Sequence, residues 1–449
     1  MVALNKTLIY YPEVKHPLQK ENDFVKQQYI AIIRKIASRF EADKNLVDYK
    51  LKSLFFVLFN YEKKDNHWKH CSKRGYIEVF KTRFKYNKFF SYCTFLLFDS
   101  VFLFAADNKI NGTKIKKTIS NYSEKRYLKL LDVIINELYE DVDRFLIYKI
   151  LPDDLIQAWF SANKFINSEI KQFVFTATMS AGKSTLINAI IGENLSTVKK
   201  AACTSTILKF NSLPTKSKFF TIEGKQQIFF QDSKFVGSNV NGRKQPYEIS
   251  GYFSSVLCQK RILLIDTPGI NSSRFPVHES LTRDALLSIR HKTIIYVIPV
   301  ETYGSKDDYD HLVFIKEQVN YDKIIFLINM IDTCDLEDDS IDEIIEDVRM
   351  HLVKIGFVTP LVYPISAKAG FQLKRLINGS SLTENARKSC NTYINLFSRK
   401  EFSLKNYYPI EEKEVYDSVR LTAKLKDKRV LTAFINTGVP ELEKILFNI

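Results

Sequence analysis

Apolar residues recur at three- and four-residue spacing through "DFVKQQYIAIIRKIASRFEADKNLVDYKLKSLFFVLFN" (23–60) and again through "SEKRYLKLLDVIINELYEDVDRFLIYKIL" (123–151). That period belongs to amphipathic helices, so residues 1–165 read as a mainly helical domain. From about 170 the texture changes. Short apolar runs, "QFVFTA", "TSTILKF", "KFFTIEG", "RILLIDTPG", "TIIYVIPV", "KIIFLINMID" and "PLVYPISA", read as strands, and helical patterns lie between the later ones. In "DSIDEIIEDVRMHLVKIG" the helix carries its own punctuation: Ser340 and Glu343 fit a capping box and Gly356 a C-terminal cap. Strands that alternate with helices predict a mostly parallel, doubly wound α/β sheet over residues 166–378. After "SAKAG" the pattern returns to helix, ending in "TGVPELEKILFNI" with Pro440 and Glu441 at a helix start. Residues 379–449 are therefore expected to form a helical segment that packs with the N-terminal domain.

Composition changes this picture little. With 449 residues, 45% of them apolar, the chain has enough for two or three domains with a substantial core. Its formal charge of +15 directs attention to acidic partners, namely membrane lipid, nucleic acid or polyphosphate. Two basic, aromatic-bearing pieces, "KTRFKYNKFF" and "NKINGTKIKKTISNYSEKR", offer themselves for that contact, although such interleaving more often marks a half-buried amphipathic face. The most apolar stretch, residues 92–106, is interrupted by Asp99 and falls short of the ~20 residues a spanning helix needs, so it is expected to be a buried helix. The opening residues lack a signal-peptide pattern, and the six scattered cysteines suit a reducing compartment; both point to the cytoplasm, with peripheral membrane contact as an option. His67, His70 and Cys71 stand close together, but no second cluster completes a zinc set.

The chemistry is concentrated in "TATMSAGKSTLINAIIG" (176–192), which resembles the phosphate-loop pattern G-x-x-x-x-G-K-[ST] with Ala177 in place of the first glycine. In such a loop successive backbone N–H groups and a helix N-terminus face the phosphates. Gly182 allows close approach, Lys183 neutralises the β/γ oxygens and Ser184 ligates Mg²⁺; the backbone of Ala181 and Thr185 completes the cradle. The first glycine serves the turn out of the strand, and alanine is tolerated there if its φ stays negative.

A second motif, "ILLIDTPGI", ends an apolar strand in Asp266-Thr267-Pro268-Gly269, where the carboxylate can hold Mg²⁺ through water and the Gly269 N–H can sense a γ-phosphate. A third, "FLINMID", places Asn329 and Asp332 at a strand end. An aspartate there can accept from the N1–H and N2 amino group of guanine, which adenine lacks. Ser366, Ala367 and Lys368 end the next strand and can offer a backbone N–H to the guanine O6. Thr204, with Thr206 as substitute, is placed to complete the Mg²⁺ shell.

In order and spacing these motifs resemble the translation-factor-related GTPases and most of all the dynamin superfamily, over roughly residues 170 to 375. The resemblance implies a P-loop GTPase domain flanked by helical segments. It also implies binding of GTP and GDP with Mg²⁺, dimerisation through the G domains, and hydrolysis coupled to movement of a helical bundle, often at membranes. It gives Ser180 a contact to the β–γ bridge, alongside Lys183 and Thr204 as the catalytic set. Met179 stands where dynamins often carry a glutamine that arranges the catalytic water, and Met330 where a lysine stem usually covers the base. No arginine finger can be named; Arg243 and Lys244 are merely available. A catalytically weak GTP-sensing scaffold acting on a protein partner is the alternative, which Met179 favours. A nucleic-acid-linked GTPase ranks below both, because no RNA-binding module is recognisable.

Overall fold

The computed structural model describes residues 11, 14–41, 44–59, 92–121, 123, 125–140, 145–196, 207–214, 219–224, 227–232, 247–270, 277–335 and 340–449. Two compact units emerge, one of residues 1–168 with 213–215, the other of 169–212 with 216–449.

The first unit is helical. Helices α1 (Asp23–Ala37), α2 (Lys44–Phe59), α3 (Cys93–Ala105), α4 (Lys109–Ser120), α5 (Lys125–Tyr139) and α6 (Asp153–Asn167) bury one apolar core. Asn22 caps α1 by accepting from the Val25 N–H at 3.0 Å. The apolar stretch 92–106 is the buried α3, as expected, and its interrupting Asp99 is tolerated in the core because it is hydrogen-bonded there. Its carboxylate accepts from the Tyr11 and Tyr29 hydroxyls at 2.6 Å each and meets His16 Nε2 at 3.2 Å, so the buried charge is fully engaged. Burial, and then the Asp99 charge, hold both phenols protonated well beyond the usual tyrosine range. The basic piece that begins at Asn108 forms α4, with Ile115 and Ile119 in the core and Lys116 paired to Asp132, which is the amphipathic-face reading. Residues 67–71 and 81–90 lie outside the described residues.

The second unit is built on a nine-stranded sheet in the order β4-β3-β5-β2-β6-β1-β7-β8-β9. All seven strands expected from the sequence are present: β1 (Lys171–Thr176), β2 (Leu208–Leu213), β3 (Phe219–Gly224), β6 (Ile262–Asp266), β7 (Lys292–Pro299), β8 (Lys323–Asn329) and β9 (Leu361–Pro364). Strands β6, β1, β7, β8 and β9 are parallel, and every residue of β7 is buried, as a strand covered on both faces requires. An antiparallel extension completes the sheet: β2 against β6, and β3 between β4 (Gln227–Asp232) and β5 (Tyr247–Tyr252). The last two were not delimited in the sequence, where polar residues dilute their apolar runs.

Helices α7 (Lys183–Ile191), α8 (Val277–Ser288), α9 (Lys306–Gln318), α10 (Ile341–Ile355) and α11 (Ala367–Ile377) belong to this unit. The Ser340–Glu343 capping box forms and Gly356 closes α10 in the left-handed conformation, φ 107°. Helices α12 (Glu384–Leu396), α13 (Glu412–Thr422), α14 (Lys428–Ile435) and α15 (Val439–Asn448) follow, with Pro440 in the first turn of α15. Of residues 379–449, Phe397, Leu404, Leu431, Phe434, Leu442 and Leu446 belong to the same core as the sheet. Their apolar faces are shaped to the helices that cover the sheet, which periodicity alone does not reveal.

One group in this C-terminal layer carries a pH dependence. Glu441 is buried and neither carboxyl oxygen has a hydrogen-bond partner from another residue. Burial above all, then the Glu443 and Glu412 charges, push its carboxyl well above the ordinary 4.5, against its own backbone N–H and Lys405. A carboxyl whose folded pKa exceeds its unfolded one binds extra protons in the fold. Its contribution to stability is full below the unfolded value and is lost as pH rises through the folded one. Glu441→Gln is therefore expected to raise the melting temperature at neutral pH, by about 1 kcal/mol of stability. Thermal unfolding from about pH 5 to about pH 8 should show a flatter decline than in the parent chain.

Candidate functional site

The loop between β1 and α7 lies at the carboxyl ends of the parallel strands, where open α/β sheets keep their sites. Ala177 is buried and is not among the residues with positive φ, so the missing first glycine costs the turn nothing. The left-handed positions fall later, at Ser180 (φ 64°) and Gly182 (φ 83°). At Gly182 a side chain is excluded twice over, because a Cβ would also stand 2.3 Å from Asn329 Nδ2. Gly269 is similarly close to the loop: its Cβ would meet the Met179 backbone at 3.1 Å.

Lys183, Ser184 and Asp266 converge in the structure. Lys183 Nζ donates to Asp266 Oδ1 at 2.5 Å, and Ser184 Oγ donates to Asp266 Oδ2 at 2.9 Å. Lys183 and Asp266 are both buried, so each is the other's counter-charge and loss of either would strand its partner. A hydroxyl and a carboxylate oxygen side by side at a helix N-terminus are hard donors of the kind Mg²⁺ takes, so the residues present fit that ion. A third donor was not anticipated: Ser196 Oγ also reaches Asp266 Oδ2, at 2.6 Å. No motif contains Ser196, and only the fold brings it back to the strand end.

The second half of the site is tied to the first by Asn329. Its Nδ2 donates to the Ala181 carbonyl at 2.9 Å and its Oδ1 accepts the Ala367 N–H at 3.0 Å, so one side chain joins the phosphate loop to the loop after β9. Ser366 caps α11 and its Oγ donates to Asp332 Oδ1 at 2.5 Å, fixing one oxygen of the carboxylate expected to select the base. Met330 adopts φ 71°, and Met179 is 45% exposed on the loop. Thr185 is partly buried in the first turn of α7 and Lys368 is exposed. Thr204, Thr206, Arg243 and Lys244 lie outside the described residues.

The C-terminal layer braces the end of β9 and the loop after it. The Ser366 N–H donates to the Thr437 carbonyl at 3.0 Å, and the Tyr408 hydroxyl to the Pro364 carbonyl at 2.9 Å. Gly370 faces Val439 so closely that a Cβ would meet its Cγ2 at 2.4 Å. Behind the phosphate loop, Lys374 donates to Glu443 Oε1 at 2.5 Å and to the Ile190 carbonyl at 2.7 Å, linking α11, α15 and the end of α7. Burial lowers the Lys374 pKa and raises that of Glu443, each against the attraction of the other.

Comparison with known proteins places this geometry. Residues 174–331 match the family model described as the dynamin family. No curated protein matches the chain. Among solved structures, an oligomerised bacterial dynamin pair, described as providing a mechanism for long-range sensing and tethering of membranes, is 16% identical. It covers 92% of this chain and 73% of its own, with a TM-score of 0.37. A second structure of that description gives 15% identity, the same coverage and a TM-score of 0.36. Era from Aquifex aeolicus, bound to GDP·AlF4⁻, is 17% identical over 47% of this chain and 56% of its own, with a TM-score of 0.29. These scores are low, and the assignment rests on the family match. The phosphate loop, the Asp266 strand and the Asn329 strand all fall inside the matched segment, and residues 174–331 are similar to the dynamin-family domain.

Proposed function

We propose that the chain binds GTP with Mg²⁺ and hydrolyses it to GDP and phosphate. The observation that carries this reading is the convergence of Lys183, Ser184 and Asp266 at the end of β1 and β6. On nucleotide binding the Lys183 ammonium would leave Asp266 for the β/γ oxygens. Ser184 would turn its lone pairs to the metal while its proton stays on Asp266, and Asp266 would hold a metal-bound water. Mg²⁺, when bound, neutralises charge on the phosphate oxygens. Ser180, whose left-handed backbone lifts it to the exposed lip of the loop, would contact the β–γ bridge. Gly269, beside Met179, would sense the γ-phosphate, and Thr204 would close the metal shell. Ala181, Gly182, Lys183, Ser184 and Thr185 would cradle the phosphates. Asp332, held by Ser366, would select guanine, with Asn329, Ala367 and Lys368 shaping the base side. Attack of water is then a matter of positioning and electrostatics.

Association of two G domains across the nucleotide, movement of the helical unit, and contact with a membrane surface or protein partner extend this proposal by likeness to the family. Phosphate release from GTP and from ATP tests it. GTP-specific turnover that rises faster than linearly with protein concentration is expected, and Asp332→Ala should cut the preference for GTP by at least about 100-fold. Equal turnover of ATP by the parent chain would sink the role given to Asp332. Binding of GTP without turnover would replace the hydrolase by the scaffold sensor, which the apolar Met179 beside the phosphate loop favours.

A further inference from the structure

We propose that Ser196 is a positioning residue that sets the Mg²⁺ requirement of this site, an inference that rests on the nucleotide reading above. Asp266 is fully buried and takes three donors: Lys183 on Oδ1, and Ser184 and Ser196 on Oδ2. Two of the three have other work when a nucleotide arrives. Lys183 is needed at the phosphates, and one ammonium cannot serve both places. Ser184 is needed at the metal with its lone pairs, so its proton on Asp266 is shared with that duty. Ser196 has no such duty, so its hydroxyl is the anchor that stays while the strongest partner of Asp266 departs.

That anchor is built, not incidental. Asn188, fully buried on the helix that the phosphate loop opens, spends its whole side chain on the segment 194–196. Its Oδ1 accepts the N–H groups of Leu195 and Ser196 at 2.9 and 2.8 Å, and its Nδ2 donates to the Ser196 carbonyl at 2.8 Å and to Asn194 Oδ1 at 3.2 Å. Lys183, Ser184 and Ser196 are thus all referenced to one helix. A buried carboxylate that holds a metal through water must keep one oxygen turned outward, and an outer donor on the other oxygen fixes that orientation. Without Ser196, Oδ2 of Asp266 would be held by the Ser184 proton alone, and metal binding would have to supply the lost order.

The test is the rate at which a fluorescent GDP analogue dissociates, followed as free Mg²⁺ is varied, for the parent chain, Ser196→Ala and Ser196→Thr. Ser196→Ala is expected to raise the free Mg²⁺ needed for half-maximal retention by about tenfold, the usual cost of losing an outer-shell partner. Affinity in the presence of chelator should stay unchanged, and threonine, which keeps the hydroxyl, should recover most of the shift. If the alanine variant superposes on the parent at every Mg²⁺ concentration, the proposal is overturned. It is equally overturned if retention weakens to the same extent with and without Mg²⁺, because Ser196 would then act only on the fold. A parent chain that retains the GDP analogue with no dependence on Mg²⁺ refutes the role of Ser196 while leaving nucleotide binding standing. A parent chain that retains none removes the nucleotide reading itself.

Discussion

Lys183→Ala is expected to reduce phosphate release from GTP by at least about 100-fold, the scale on which removal of one preorganised charge from a reacting centre is felt. The ammonium is buried at the first turn of α7, on the strand-end carboxylate that the nucleotide must share with it. A control without turnover is informative only if it is folded, and here the fold itself is involved. Removing Lys183 leaves a fully buried Asp266 with two hydroxyl donors and no counter-charge, for which several kcal/mol, about 3–5, is the expected cost. Lys183→Arg keeps the charge with a different shape and separates the two effects: stability should largely return while turnover stays low. Circular dichroism melts beside single-turnover phosphate release measure both. Parent-like turnover in Lys183→Ala would remove this lysine from the mechanism.

The second large effect lies behind the site. Lys374→Ala should destabilise the sheet-bearing unit by about 3–5 kcal/mol, because it leaves the buried Glu443 without its counter-charge and releases the Ile190 carbonyl. For a unit of this size the melting transition should fall on the order of 10 °C. The affected transition can be recognised as the one that GDP with Mg²⁺ shifts upward, since a ligand stabilises only the unit that binds it. Lys374→Met with Glu443→Leu is expected to recover most of the loss, as apolar replacements of buried pairs generally do. A single variant that melts like the parent would show that the pair is solvated in solution. Because Lys374 holds the C-terminal end of α7 while Lys183 opens its N-terminal end, partial destabilisation should also weaken nucleotide retention.

The site was legible wherever chemistry sits in a local run. Gly182, Lys183 and Ser184 are consecutive, Asp266 and Gly269 share one turn, and Asn329 and Asp332 share another, so spacing alone located them. The substitution at Ala177 was also readable, since backbone sterics say what that turn tolerates, and its φ is not positive. Ser196 was not readable. A serine among polar residues has no periodicity or motif, and its role arises only from Asn188 folding the segment back to a strand end 70 residues away in sequence. Strands β4 and β5 escaped for a related reason: an antiparallel extension at a sheet edge does not need the continuous apolar run of a strand buried on both faces.

The C-terminal region shows the division most clearly. From sequence, residues 379–449 are amphipathic helices with caps, and that much is local physics: period, Pro440 at a first turn, acidic residues near helix starts. Which partner their apolar faces meet is a question of shape, and shape is a property of the assembled core. Val439 fits because Gly370 has no side chain, Gly438 fits beneath the Pro364 carbonyl for the same reason, and Lys374 is tolerated because Glu443 arrives opposite it. The phosphate-loop motif, the parallel half of the sheet and the position of Asp332 just after a strand were legible along the chain, because each depends on neighbours a few residues apart. That the C-terminal helices brace the loop after β9 and that Ser196 joins Asp266 emerge only in the folded molecule, because those contacts link positions whose distance along the chain carries no signal.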